Sequence, residues 1–398
     1  MPVWHDQSDL PPGDTECRLD EATQTGLSGA VLLVTPDVGV SDCIKEVELP
    51  RLLALEEQGS FTLSIASTIE KRSGRLDYSG PDRLLSQPTQ ILRKFHQDPA
   101  LTPEDLAQIA LNHCRQKMEA LKEEIKLADQ TIEISLQTRF SPSSTDLLGD
   151  LVMRLRPPLP NDRRPNQQGL EELQLALSNL PYLLQIAGAR HVRFSGGAHL
   201  SVAFALGAAL PTPLLRRVDV VDNDGHIWSL SQSTPAPATA THMLEVTDRS
   251  PHEATTGDAL VYVDLVPTPS DAAFEQFFTE YPGRFVKVFH IRTLTGGVLF
   301  PEDANVIVSE ASNAIRRAAT FPEASDVHLL LRCPWPVALL LGRTLNTVRV
   351  NLYEWETGPD ADGNSGVPRY LPSMVVRSGA GGSPIEKVVL PTRCEALA

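Results

Sequence analysis

A pattern that occurs twice places the strongest constraint on the fold of this chain. The first copy reads HVRFSGGAHLSVAFALGAAL over residues 191–210 and is followed by RVDVV at 217–221. The second reads VHLLLRCPWPVALLLGRTL over residues 327–345 and is followed by VRVNLY at 348–353. Both copies predict a buried strand, a turn of small residues, an apolar helix with a late Gly-x-x-Leu, and another strand.

Each copy also has a helix upstream and a strand before that helix. The predicted strands and helices are 150–155 and 169–186 for the first copy, and 259–265 and 306–320 for the second. A period-two stretch at 130–136 predicts the strand that opens this region. We therefore expect two doubly wound, Rossmann-like α/β halves, about 127–250 and 251–398, packed about a pseudo-twofold axis.

The charge of the chain limits its partners. The net charge is −15, and the first 60 residues hold 12 Asp and Glu against 3 Lys and Arg. This balance argues against binding of long nucleic acid, whose affinity depends on many cation–phosphate contacts. A ligand with a few phosphates needs only a few Arg or Lys side chains and some backbone N–H groups, so it remains compatible with this composition.

Targeting and metal-binding patterns are absent from the sequence. No apolar run reaches the roughly 18 residues of a membrane helix, and the N-terminus lacks a signal-peptide pattern. We therefore expect a cytoplasmic protein with no membrane partner. The five cysteines include no C-x-x-C pair, which predicts free thiols without a disulfide framework, a zinc site or another bound metal.

The turns of the repeat are the candidate ligand site, because ligands of open parallel sheets lie beyond the carboxyl ends of the strands. Glycines let a phosphate approach the backbone, a helix N-terminus favours an anion, and an indole can stack on a base. A simpler interpretation is a pair of tight strand–helix turns with a packed tryptophan. The candidate ligand-binding residues are Arg193, Ser195, Gly196, Gly197, His199, Leu200, Arg332, Cys333, Pro334 and Trp335.

The region from about residue 128 to 398 resembles a SAVED domain. The resemblance rests on H-L-S-x-A-F-A-L-G in the first copy, A-x-x-L-G-R in the second, and the closing V-N-L-Y-E-W at 350–355. SAVED domains are two fused CARF-like halves that bind cyclic oligonucleotides in bacterial anti-phage (CBASS) signalling. The resemblance implies a cyclic oligonucleotide partner, usually a trinucleotide, held at the turns 195–200 and 333–335.

The N-terminal segment resembles part of a TIR domain. The matching stretches are V-W-H-D at 3–6, L-P-P-G at 10–13, the helix and strand of 22–35, and S-D-C-I-K-E at 41–46. The last is similar to the S-x-x-C-x-x-E element of the family, shortened by one residue. The resemblance implies a flavodoxin-like TIR domain over 1–126 that lacks the family's first strand and helix.

In NAD-cleaving TIR domains the glutamate of that element is catalytic, and Glu46 is the matching residue. Cleavage of the nicotinamide–ribose bond develops oxocarbenium character, which a nearby carboxylate stabilises without a metal or a cofactor. Cys43 would line the same pocket, and Asp6, Ser8 and Asp9 would shape its rim. The simpler interpretation is that Glu46 is a solvated first-turn glutamate favoured by the helix dipole.

Two functions follow from these resemblances. The first is an antiviral NAD hydrolase that a cyclic oligonucleotide switches on by driving self-association into an oligomer or filament. The alternative is a non-catalytic cyclic-nucleotide sensor or scaffold with a degenerate TIR segment. A metabolic enzyme is less favoured, because the chain has no G-x-G-x-x-G, P-loop or G-x-S-x-G motif.

Overall fold

The computed structural model describes residues 29–59, 61–87, 90–139, 149–158, 163–210, 212–230, 242–251, 256–294, 296–322, 324–345, 347–357, 368–377, 379 and 382–390. The chain divides into two compact units. We call the unit within residues 3–127 the front unit. The unit that consists chiefly of residues 128–398 is called the repeat unit.

The described part of the front unit is built on a three-stranded parallel sheet. Its strands are β1 (Gly29–Val34), β2 (Thr62–Ser67) and β3 (Gln97–Pro99), in the order β1-β2-β3. Its helices are α1 (Leu49–Glu57), α2 (Gly80–Leu84), α3 (Pro103–Ala120) and α4 (Lys122–Leu127). Thr102 and Asp105 form a capping box before the first turn of α3.

The first half of the repeat unit has a five-stranded sheet in the order β5-β4-β6-β7-β8. Four strands are parallel and β8 is antiparallel. The elements are β4 (Thr131–Gln137), β5 (Leu151–Arg154), α5 (Gln167–Ile186), β6 (His191–Gly197), α6 (Leu200–Ala209), β7 (Arg217–Val221) and β8 (Ile227–Ser229).

The second half has a seven-stranded sheet in the order β15-β14-β13-β12-β10-β11-β9. Its four central strands are parallel, and β9, β14 and β15 are antiparallel at the edges. The strands are β9 (Leu244–Asp248), β10 (Gly257–Asp264), β11 (Phe285–Thr293), β12 (Ala324–Arg332), β13 (Arg349–Glu356), β14 (Arg369–Arg377) and β15 (Ile385–Val388). The helices are α7 (Ala272–Glu280), α8 (Ala304–Ala319) and α9 (Trp335–Thr344).

The repeated strand–turn–helix–strand pattern is confirmed in both halves. The strands β6 and β12 each lead into a short, almost fully buried helix, α6 or α9, and then into the parallel strands β7 and β13. Both helices consist mainly of apolar residues that are buried on all sides, as expected for helices enclosed between layers. The α/β architecture with Rossmann-like sheets is therefore present.

Helices α6 and α9 meet through reciprocal glycine contacts. A Cβ atom added to Gly207 would lie 1.9 Å from the carbonyl oxygen of Leu339, and one added to Gly342 would lie 2.0 Å from that of Phe204. In the repeat, Gly207 is equivalent to Gly342 and Phe204 to Leu339. The two contacts are therefore the same contact seen from each half, which supports the expected pseudo-twofold relation.

A buried arginine also links the halves. Arg343 donates hydrogen bonds of 2.7 Å to the carbonyl oxygens of Leu210 and Leu215 in the first half. Burial lowers the pKa of Arg343 to about 10, which still leaves it cationic at neutral pH. A cation at the last carbonyls of α6 suits the negative end of that helix.

Candidate functional site

Charged residues form a row at the carboxyl edge of the second sheet. Asp264, the last residue of β10, is the cross-strand partner of both Arg292 on β11 and Arg332 on β12. The Arg332 Nη1 atom lies 2.6 Å from Asp264 Oδ1 and 2.7 Å from the carbonyl oxygen of Thr268. Arg292 lies 3.7 Å from Asp264 and also pairs with Asp271. Arg332 is therefore held at the strand end, where the sequence predicted it.

A histidine lies beside this row. His290 is buried, its Nε2 atom has no hydrogen-bond partner among the described residues, and it lies 3.8 Å from Asp271 Oδ1. Burial lowers the pKa of His290, so the ring is neutral at pH 7. Although Asp264, Asp271 and His290 are close enough to hold a cation, the guanidinium groups of Arg292 and Arg332 already neutralise both carboxylates.

The turn after β12 is more buried than its sequence suggests. Pro334 precedes the first turn of α9, and burial raises the pKa of Cys333 to about 12, which makes it an unreactive thiol. Trp335 is only 7% exposed, and its Nε1 atom has no partner among the described residues. A base could stack on Trp335 only if this turn opened.

In the first half, β6 continues through the two glycines of the predicted turn. Gly196 has φ +95°, and a Cβ atom there would lie 2.2 Å from the carbonyl oxygen of Leu136, so only glycine fits. A Cβ atom at Gly197 would meet open space. Ser195 Oγ lies 3.2 Å from Ser135 Oγ on the neighbouring strand. A side chain is therefore excluded at Gly196, the exposed glycine of this turn, and tolerated at Gly197.

His199 is committed to structural hydrogen bonds. Its backbone N–H donates to Thr138 Oγ1 at 2.7 Å, and the Thr138 hydroxyl lies 2.8 Å from its Nδ1. Its Nε2 lies 2.8 Å from the carbonyl oxygen of Arg163 and must donate there. These hydrogen bonds tie the end of β4 to the segment before α5. Leu200 follows as the first residue of α6.

The N-terminus of α6 already holds a carboxylate from the other half. Glu354 on β13 accepts a 2.9 Å hydrogen bond from the backbone N–H of Ser201 and is almost fully buried. The Ser201 hydroxyl lies 3.0 Å from that of Ser373 on β14. A ligand phosphate at this helix terminus would have to compete with Glu354.

Arg193 lies apart from the other predicted ligand residues. It is the third residue of β6, away from the carboxyl end, and it pairs with Glu133 at 3.0 Å and with Asp219 at 3.7 Å. The fully buried Asp219 also contacts His191 at 3.0 Å and Arg217 at 2.7 Å. Arg193 therefore belongs to an ionic network on the sheet face.

Sequence reasoning did not single out Trp355 as a site residue. It is the penultimate residue of β13, and 39% of its surface is exposed. The available signal was the end of the V-N-L-Y-E-W stretch, where a large aromatic residue follows a predicted buried strand. Exposure at that position depends on the packing of β14, which the sequence pattern did not reveal.

In the front unit, Glu46 lies in a π-helical turn, Ile44–Glu48, that leads into α1. It is exposed and lines an open pocket of about 370 Å³ together with Val47, Pro50, Arg51 and Ala54. Their spacing of three and four residues puts them on one side of the helix. The pocket is therefore lined by one side of a single helix, and Glu46 supplies its carboxylate.

The other residues predicted around Glu46 are less informative. Cys43 Sγ lies 3.7 Å from Glu48 Oε1 and is partly buried. Asp6, Ser8 and Asp9 lie outside the described residues. The assignment of these residues to an NAD pocket stays a prediction.

A comparison with protein-family models identifies the domain type of one part of the chain. Residues 181–375 match the model of the SMODS-associated and fused to various effectors sensor domain, abbreviated SAVED. Residues 181–375 are a SAVED domain. The SAVED resemblance is thus confirmed over that range, whereas the TIR resemblance stays a prediction.

Solved structures give a weaker likeness. The SAVED/CARF-domain containing receptor Cap4 of Acinetobacter baumannii, solved with the cyclic trinucleotide 3'3'3'-cAAA, is 14% identical with a TM-score of 0.48, covering 82% of this chain and 84% of that chain. Cap4 of Moraxella osloensis is 14% identical with a TM-score of 0.43, and 87% of each chain is covered. No curated protein matches the chain by sequence. Among the described residues, no helix is both long and apolar enough to cross a membrane.

Proposed function

We propose that the repeat unit senses a cyclic oligonucleotide, most simply a cyclic trinucleotide, and that binding switches on the front unit as an antiviral effector. The observation that carries this proposal is the match of residues 181–375 to a sensor domain whose family is fused to various effectors. A sensor needs a ligand site and two coupled parts, and the reciprocal α6–α9 contact provides a rigid connection between the halves.

The carboxyl edge of the second sheet suits such a ligand. Arg292 and Arg332 place two guanidinium groups at the ends of the strands on either side of β10, and Asp264 at the end of β10 pairs with both. Guanidinium groups recognise phosphate oxygens by charge-assisted hydrogen bonds. A ring of a few nucleotides carries only a few phosphates, so a few arginine side chains can bind it although the chain as a whole is acidic.

The test is a ligand titration of the full chain. Cyclic di-, tri- and tetranucleotides are added in turn, and the thermal midpoint is recorded with the matching linear oligonucleotide as control. A ring that binds the folded protein at 100 times its dissociation constant adds about 2.7 kcal/mol of stability. We expect one ring to raise the midpoint and its linear form to leave it unchanged. If no ring raises it, the sensor proposal is wrong.

We further propose that the front unit hydrolyses NAD to nicotinamide and ADP-ribose products, with Glu46 as the catalytic carboxylate. In support, Glu46 is exposed and lines an open pocket on one side of its helix. The carboxylate would stabilise the developing positive charge on the ribose, and nicotinamide leaves as a neutral group. Ring-driven assembly into an oligomer or filament would bring neighbouring front units together to complete the pocket.

NAD loss and particle size, followed with and without the ring, test this effector proposal. The variant Glu46→Gln removes the carboxylate, and Glu57→Gln on the exposed part of α1 is the matched control. We expect ring-dependent NAD loss in the parent and in Glu57→Gln, and none in Glu46→Gln, with ring binding intact in all three. Ring-dependent assembly without NAD loss would instead select the non-catalytic sensor or scaffold.

A further inference from the structure

Trp355 is an exposed aromatic side chain at the carboxyl edge of the second sheet. Of the three described tryptophans, Trp228 is 2% exposed, Trp335 is 7% exposed and Trp355 is 39% exposed. An indole with this much free surface at a strand end offers one face to a flat partner. The packed Trp335 and Trp228 do not.

The strand that carries Trp355 is held on both sides of this residue. Glu354 accepts a 2.9 Å hydrogen bond from the backbone of Ser201, and Glu356 lies 3.8 Å from the buried Arg164. Ser201 and Arg164 both belong to the first half. The backbone around Trp355 is therefore fixed by contacts between the halves. Because it is already ordered, little conformational entropy is lost when the exposed indole binds a ligand.

Trp355 and Arg332 project from the same face of the sheet. Side chains alternate along a strand, so Trp355 shares the face of Tyr353 and Arg332 shares the face of Leu330. Tyr353 and Leu330 both belong to one buried cluster beneath α7. Since β12 and β13 are adjacent and parallel, Arg332 at the last position of β12 and Trp355 at the penultimate position of β13 bring a guanidinium group and an aromatic plane to the same edge.

We propose that Trp355 is the residue on which a base of the cyclic oligonucleotide stacks, with Arg332 beside it for the adjoining phosphate. The inference rests on the proposed sensor function and adds the base-binding residue. An aromatic plane next to a cation matches the two chemical parts of a nucleotide, a flat base and an anionic phosphate. It also replaces Trp335 as the stacking residue, because the indole of Trp335 is buried.

The test measures the affinity of the full chain for 3'3'3'-cAAA, or for whichever ring of the panel binds more tightly. Loss of one base–aromatic stack should weaken binding roughly 5- to 150-fold, which corresponds to ~1–3 kcal/mol. We therefore expect that loss in Trp355→Ala and recovery of most of it in Trp355→Phe. The control is Tyr182→Ala, which removes an aromatic residue of α5 that is 48% exposed and should leave the affinity unchanged.

Tryptophan fluorescence gives a second readout. Ring binding should quench the emission of the parent protein, and the quenching should disappear in Trp355→Phe, which still binds. Thermal midpoints without ligand should match between the parent and Trp355→Phe, because the phenyl ring keeps most of the packed surface of the indole. If the parent binds a ring and Trp355→Ala binds it equally well, this inference is wrong and the sensor proposal stands. If the parent binds no ring, both are wrong.

Discussion

The two halves of the repeat unit share their inner helices and differ on the outer faces of their sheets. In the second half, α7 covers an aromatic cluster that includes Tyr262, Phe274 and Tyr353. In the first half, the corresponding face carries the ionic network of Asp219 with His191, Arg193 and Arg217. The duplicated sequence has kept the contact that joins the halves, while the faces away from it have diverged.

One pair of equivalent residues illustrates this divergence. Arg193 and His328 both lie 14 residues before the glycine of their own inner helix, Gly207 or Gly342. Arg193 is partly exposed and pairs with Glu133 and Asp219. His328 is buried, with Nδ1 2.6 Å from the Tyr353 hydroxyl and Nε2 3.1 Å from Asp258. Symmetry at the core therefore does not predict which half presents a given ligand contact.

The shared contact should be the most sensitive position of the repeat unit. Gly207→Val and Gly342→Val each force a side chain into a carbonyl group of the facing helix. Overpacking of this kind usually costs 1–3 kcal/mol of stability. Because the contacted carbonyl groups belong to the backbone and cannot rotate away, we expect each substitution to lower the free energy of unfolding by more than ~3 kcal/mol. Chemical denaturation followed by circular dichroism measures the loss.

Gly197→Ala is the control for this prediction, because a Cβ atom there meets open space. Equal effects of Gly207→Val and Gly342→Val would support the pseudo-twofold contact. Stability unchanged by either substitution would show that the helices do not pack through their glycines.

The hydrogen bonds of Arg343 to the first half, which we call the arginine clamp, have no counterpart in the other direction. The residue equivalent to Arg343 in the first half is Ala208. Arg343→Met keeps the apolar bulk and leaves the carbonyl groups of Leu210 and Leu215 without these donors. An unsatisfied buried acceptor costs ~1–3 kcal/mol, and we expect a net loss of about 2 kcal/mol. Thermal unfolding of the full chain measures it, with the exposed Arg190→Met as control. A loss no larger than that of the control would contradict the clamp.

Acidic pH should destabilise the second half through His328, by less than the substitutions described above. Burial lowers the pKa of His328 to about 4, compared with about 6.5 in an unfolded chain. The unfolded state therefore binds the proton more readily, so this contribution is fully present above pH 6.5 and is lost as the pH falls towards 4. At pH 5 the expected loss is about 1–2 kcal/mol.

Hydrogen exchange at pH 7.5 and pH 5, corrected for intrinsic rates, checks this sign and location. Protection in β10 and β12 of the parent should fall, because His328 lies on β12 and contacts Asp258 of β10. The variant His328→Gln should reduce the difference between the two pH values. An equal difference in the parent and in His328→Gln would contradict the role of His328.

Much of the repeat unit could be predicted from local sequence patterns. The apolar runs of β6 and β12 and the late glycines of α6 and α9 led to correct predictions of element type and order. Strand β11 and the edge strands β14 and β15 were missed, although β11 has the alternation of a strand. Helix α7 was also missed, because its pattern of Phe274, Phe277 and Phe278 lies in a short segment between strands. The repeated pattern predicts only the elements that both copies contain, so the strands and the helix outside the copies were not predicted.

The candidate site was less predictable, because burial depends on contacts between distant residues. From sequence, Trp335 and Trp355 are both tryptophans at strand ends, yet the first turn of α9 buries one, while the end of β13 exposes the other. His199 follows a glycine turn that suggests a ligand, but Thr138 and the carbonyl of Arg163 occupy its ring nitrogens. Glu354 likewise reaches α6 across 153 residues of sequence.

The sequence by itself determined the duplication and the α/β class, because both follow from local periodicity and spacing, and its motifs carried the SAVED resemblance. Only the tertiary structure decided how the halves join and which side chains remain available to a ligand. The physical reason is that a carbonyl 1.9 Å from a missing Cβ atom, or a carboxylate placed at a distant helix terminus, arises only when both partners have folded.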